Sequence, residues 1–252
     1  QYHQKAVLNM LLALEKRLPP EEKLVERMKD SLDKVPYSAA EKRFIVAANR
    51  YLKSYGDTDK ALDVKFKVGR MLYAHNELDT ALKTFWQIVE KNGDSEYATY
   101  SANLILDIYN LKKDYEGLAQ AGQKLLKYPK LIQKGTARDI RNVVQRAEFK
   151  KAQDAEAAKD FLKSAGEYQK FAKANPTSSL ASTAIFNAGV NFERAGKPLA
   201  AIALYSQLLG KNDKQAKENR QRVRRLRARL YEQTGQLERA AIEFERYAKE
   251  YP

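Results

Sequence analysis

Apolar residues recur every three or four positions along nearly the whole chain, and no stretch alternates with the period of two that a half-buried strand requires. The pattern predicts helices near 2–18, 21–34, 38–55, 58–75, 78–92, 95–112, 115–128, 132–152, 156–174, 179–195, 198–210, 213–234 and 237–251. Breaks at Tyr55-Gly56, Asn92-Gly93, Tyr128-Pro129, Asn175-Pro176 and Tyr251-Pro252 divide the helices into pairs. These pair ends recur at intervals mostly a little longer than about 34 residues, with 132–176 longer still.

The clearest pair starts at Thr183. Gly189 is followed by Phe192, a turn at Gly196, and then Ala201, Tyr205 and Leu208. The closing pair repeats the plan with Tyr231, Gly235, Ala240, Phe244, Tyr247 and Pro252, and an earlier one with Gly69, Leu72, Ala81, Phe85 and Ile88. A small residue in a first helix lets the second helix cross closely. Aromatics three and four apart fill the seam, and glycine or proline stops each helix.

These residues resemble the tetratricopeptide repeat (TPR). The resemblance implies an all-α, right-handed solenoid of about six TPR-like hairpins behind a leading helix, one domain over 1–252. The closing phrase Phe244, Tyr247, Tyr251, Pro252, echoed at Tyr168, Phe171 and Pro176, is similar to TPR proteins of the Gram-negative envelope. Those include the lipoprotein of the β-barrel assembly machine and the Tol-Pal coordinator. That similarity implies a periplasmic setting associated with outer-membrane assembly, with the cytoplasm as the alternative. The opening and closing residues read as cuts from a longer protein.

Composition adds limits. The chain has 44% apolar and 31% charged residues, no cysteine and two distant histidines, His3 and His75. Thiolate chemistry is excluded, and neither a metal-ligand cluster nor a phosphate loop, dinucleotide fingerprint or nucleophile elbow occurs. No cofactor or metal is expected, and no enzymatic activity. His75 reads as complementing a helix dipole. Carboxylate pairs read as solvated outer faces, and Trp86 as packing. No apolar run is long enough to span a bilayer.

The net charge of +14 changes the picture. Residues 123–151 hold nine basic against two acidic residues, and 211–229 hold the same, while the rest of the chain sums to zero. In a TPR stack first helices line the concave face. Helical spacing places Arg222, Arg225 and Arg229 beside the seam Val223, Leu226, Leu230, and Arg138 and Arg141 beside Ile140, Val144, Ala147. The resemblance therefore gives a groove faced by these five arginines, with Arg70, Tyr73, Tyr100, Asn103 and Phe186 further along.

The groove suits a protein or peptide with acidic segments, held by bidentate arginine contacts. The alternative is an anionic polymer (nucleic acid, anionic lipid or cell-wall polymer) on the two basic segments. Against nucleic acid, these segments lack interleaved aromatics for base stacking. Arg224 and Arg227 resist the register, since they stand where the repeat pattern asks for large apolar residues. Either that helix is rotated or it is half covered.

Overall fold

The computed structural model of the chain describes residues 2–19, 31–56 and 58–252. Among them no strand occurs, and the elements are helices throughout: α1 (Tyr2–Glu15), α2 (Ala39–Tyr55), α3 (Asp59–Ala74), α4 (Leu78–Lys91), α5 (Glu96–Leu111), α6 (Tyr115–Leu125), α7 (Pro129–Leu131), α8 (Ala137–Ala157), α9 (Phe161–Ala174), α10 (Ala181–Arg194), α11 (Pro198–Leu209), α12 (Lys214–Gln233) and α13 (Leu237–Glu250). Of the helix expected near 21–34, residues 21–30 lie outside the described residues and 31–34 is irregular chain. The long helix expected over 132–152 begins with a π-helical turn, Ile132–Thr136, and runs on to Ala157, displacing the next helix start from 156 to Phe161. The chain falls into two compact units, one up to Val143 and the other Val144–Pro252.

Five hairpins share one turn. Asn76, Lys113, Lys159, Gly196 and Gly235 each adopt a positive φ, between 54° and 73°. In each turn the next residue's N–H reaches the carbonyl five residues back: Glu77 to Leu72, Asp114 to Tyr109, Asp160 to Ala155, Lys197 to Phe192 and Gln236 to Tyr231, at 2.8–3.0 Å. This closes the first helix and reverses the chain into the second. Asp114 and Asp160 then cap α6 and α9 by accepting from Gly117 and Lys163 N–H.

In three hairpins the seam aromatic is buried, whereas Phe244 at the same place in α13 is 42% exposed. Phe85, Tyr168 and Tyr205 are exposed by no more than 1%, each burial contributing about 1.5–3 kcal/mol. Between hairpins, polar links join residues roughly one repeat apart: Tyr97 with Asp63, Lys124 with Glu90, Ser178 with Gln145, and Ser182 with Asp213. Trp86, half-buried, lies under the Lys124 ammonium at 4.0 Å.

Two carboxylates are buried rather than solvated, contrary to the reading of the sequence. Glu41 closes the capping box of α2 with Ser38 and also accepts from His75 Nε2 at 2.8 Å. His75 is fully buried, donates through Nδ1 to the Val35 carbonyl at 2.8 Å, and stacks on Tyr37 at 3.9 Å. Its partners are these specific groups and not the dipole of α3 alone.

Glu243, only 3% exposed, explains Arg224 and Arg227. It receives Arg227 Nη2 at 2.6 Å and Arg224 Nη1 at 3.7 Å, while Arg224 Nε lies 2.7 Å from Glu250 and Arg227 Nη1 donates to Ser206 Oγ at 2.9 Å. Helix α12 is therefore not rotated. Its seam positions hold an ionic cluster where α10 holds Ile185 and Ala188, answered by an acid on α13 much as Lys151 of α8 is answered by Glu167 of α9.

Two predictions follow from these buried groups. Glu243→Ala leaves two half-buried guanidinium groups without their carboxylate and should cost about 3–5 kcal/mol in urea unfolding, whereas joint replacement of Arg224, Arg227 and Glu243 by leucine should be neutral or stabilising. For Glu41, burial pushes the carboxyl up, but hydrogen bonds from Ser38 and His75 outweigh it and hold it below the ordinary carboxylate value. Its stabilisation is therefore present above the ordinary carboxylate range and lost as pH falls through the lowered value. The stability gap between the wild type and Glu41→Gln should narrow on acidification, and a gap constant with pH would contradict this.

Candidate functional site

In the first unit, helical spacing puts Asp63, Phe66, Arg70 and Tyr73 on one side of α3, facing Tyr97, Tyr100 and Asp107 of α5. Phe66 is the centre. Its ring lies 5.1 Å from Tyr97 and 6.0 Å from Tyr100, with the Arg70 guanidinium 5.9 Å away over its face. Two hydroxyls fasten the helices together: Tyr97 donates to Asp63 at 2.9 Å, and Tyr73 donates to Asp107. Burial, and then the bond to Asp107, raise the Tyr73 phenol well above its ordinary value, so it stays a donor. Tyr100 projects, 52% exposed, and Asn103 is exposed one turn later.

Arg70, Tyr73, Tyr100 and Asn103 thus fall on two adjacent helices, with Arg70 and Tyr100 against the Phe66 ring. The sequence reading passed over Phe66 and Tyr97, although Phe66 stands four residues before Arg70, on the same helical face. Arg70 also borders a cleft of about 200 Å³ floored by Phe44, Met71 and Ala74. At its rim Lys67 bridges Glu15 at 2.7 Å and Asp63 at 3.0 Å.

In the second unit, α10 and α12 place Phe186 under the Arg222 guanidinium, 4.9 Å from ring to cation. Phe186 is only 8% exposed, so it supports the surface from below and does not itself line it, contrary to expectation. Arg229 pairs with Glu193 of α10, and one repeat earlier Arg194 pairs with Glu156 of α8 at 2.7 Å. The nearby Tyr205 phenol is pushed up by burial and by Glu193, with Arg222 and Arg229 pulling the other way. Arg225 stands exposed between Arg222 and Arg229. Arg138 and Arg141 are exposed on the first turns of α8, within the first unit. The ten candidates are thus divided between the units, with Arg222, Arg225, Arg229 and Phe186 in the second.

Both faces carry cations, phenols, amides and supported rings. Among the described residues no group of three histidine or acidic side chains could hold a metal ion. No helix among them is long and apolar enough to cross a membrane.

Residues 226–252 match the family model of the tetratricopeptide repeat. No curated protein sequence is detectably similar to the chain. Among solved structures, a Podosopora anserina protein described as a kinesin light chain with nearly identical TPR-like repeats is 13% identical. That match covers 77% of this chain and 96% of the other, with a TM-score of 0.36. The apo form of RapI is 13% identical over 97% of this chain and 75% of its own, at 0.40. A tetratricopeptide repeat protein from Parabacteroides merdae is 14% identical over 92% and 80%, at 0.31. Scores this low carry nothing about ligands or partners. The chain is a helical-repeat protein whose residues 226–252 are similar to the tetratricopeptide repeat.

Proposed function

We propose that the chain is a non-enzymatic scaffold whose first-helix faces bind a protein or peptide, and that the face of the second unit selects acidic segments. Stacked helical hairpins present extended surfaces of this kind, and tetratricopeptide repeats generally mediate contact between proteins. The observation that carries the reading is the different fate of neighbouring arginines on α12. Arg224, Arg227 and Arg229 are answered by Glu243, Glu250 and Glu193. Arg222 is held over Phe186 and Arg225 stands exposed, with no carboxylate on either among the described residues.

A guanidinium already fixed on a ring loses little freedom on binding and keeps its donors for a carboxylate. In the first unit, projecting Tyr100 beside Asn103 offers an aromatic contact and an amide for a peptide backbone. The phrase ending at Tyr251-Pro252, similar to envelope repeat proteins, makes the periplasm the compartment proposed for this scaffold. The anionic-polymer reading is weakened by the ion pairs that already neutralise much of 211–229.

Selection from a random peptide library should return sequences enriched in aspartate and glutamate. Arg222→Glu with Arg225→Glu should weaken their binding by about tenfold or more, while Lys170→Glu with Lys173→Glu should leave it nearly unchanged. Selected peptides without acidic enrichment would contradict the proposal. A loss shared equally by both variants, tracking ionic strength, would favour the anionic polymer instead.

A further inference from the structure

Each hairpin of the second unit sets an exposed leucine within the first two residues of its second helix. These are Leu162 in α9, Leu199 in α11 and Leu237 in α13, exposed by 54%, 64% and 65%. They follow directly on the left-handed turns at Lys159, Gly196 and Gly235, so they crown the tips of successive hairpins. Single exposed leucines are ordinary on protein surfaces, but recurrence at the same tip of three consecutive hairpins is not.

The tips lie along one edge. Arg194, before the second tip, pairs with Glu156, before the first, and its guanidinium lies 5.5 Å from the Phe161 ring. One step on, Arg229, six residues before Gly235, pairs with Glu193 at the second tip. In the first unit the corresponding positions are Leu78-Asp79 and Tyr115-Glu116, where Leu78 is buried and Asp79 is paired with Lys112. Counted from the left-handed turn residue, Leu237 stands in the place of Leu78 and Tyr115, and Leu162 and Leu199 one place later, so an exposed leucine at the tip, though not at one fixed position, belongs to the second unit.

Cations accompany the first two leucines, while the exposed Glu238 follows the third. Lys159 and Lys163 flank Leu162, and Lys197 stands two residues before Leu199, all exposed and, among the described residues, without a carboxylate partner. Asp160 is occupied in capping α9 through the Lys163 N–H. Apolar side chains standing on turns offer projecting points and no groove, so the surface they fit is a flat one that admits apolar side chains and answers lysine with phosphate. We propose that this edge rests on an anionic lipid surface. Leu162, Leu199 and Leu237 enter the boundary between headgroups and acyl chains, and Lys159, Lys163 and Lys197 lie among the phosphates. This edge differs from the face carrying Arg222 and Arg225, so the two surfaces can be tested apart.

The experiment is co-sedimentation of the whole chain with vesicles of phosphatidylcholine, with and without phosphatidylglycerol. Binding is expected only with the anionic lipid. Leu162→Ser, Leu199→Ser and Leu237→Ser together should lower the partition coefficient about tenfold or more with helicity unchanged, since all three side chains are already exposed. Lys159→Glu, Lys163→Glu and Lys197→Glu together should abolish the preference for anionic vesicles. Arg222→Glu with Arg225→Glu should keep most of the binding. Failure of the wild type to sediment, a leucine variant that partitions like wild type, or an arginine variant that loses as much as the lysine variant would each overturn the proposal. So would a leucine variant that loses a protein partner yet keeps its lipid binding.

Discussion

The close crossing of two helices within each hairpin is the constraint on which the rest depends. At Gly69 a side-chain carbon would stand 2.8 Å from the Phe85 ring, and at Gly189 it would collide with Tyr205. The rings fill the space that the missing side chains leave, and both are fully buried. Once the spacing is set, the outward positions of every first helix fall in rows, and Arg70 or Arg222 reaches the surface beside a supporting ring without further design.

Much of this was legible in the sequence because it rests on repetition. Glycine facing an aromatic in the partner helix, turns at fixed places and aromatics three and four apart are local signals, and they placed most helix ends within a few residues. The long α8 was harder. Its charged continuation through Lys150, Lys151 and Asp154 carries no stop signal, and its end is set by the left-handed Lys159, a residue that gives no hint of that conformation. The site was legible in part. Helical spacing brought Tyr73 toward α5 and left Tyr100 and Arg222 exposed, but burial depends on neighbours distant in sequence. Phe186 could not be known to lie beneath Arg222, nor Phe66 to be the centre of the first face.

Buried charge was the least legible feature. Glu41 and Glu243 look like ordinary surface acids in sequence, and only the folded chain shows one against His75 and the other against Arg224 and Arg227. The apparent conflict of arginines at apolar seam positions was nevertheless a real signal. A residue that breaks the repeat pattern must find a partner elsewhere, and here it stands on the opposite helix of the same hairpin. The pairing leaves the outward arginines as the part of α12 open to a ligand, which is why the net charge of a segment is a poor guide to its function.

The central claim is that the hairpin seam, tight at particular glycines, fixes the geometry of the faces. Gly189→Ala and Gly166→Ala test it directly, because both glycines are helical in the same unit but only Gly189 has a ring against it, with nothing within 4 Å of an added carbon at Gly166. Measured by urea unfolding, Gly189→Ala should destabilise by about 1–3 kcal/mol through overpacking. Gly166→Ala should stabilise by about 0.5–1 kcal/mol through helix propensity. Equal effects of the same sign at both positions would contradict the account.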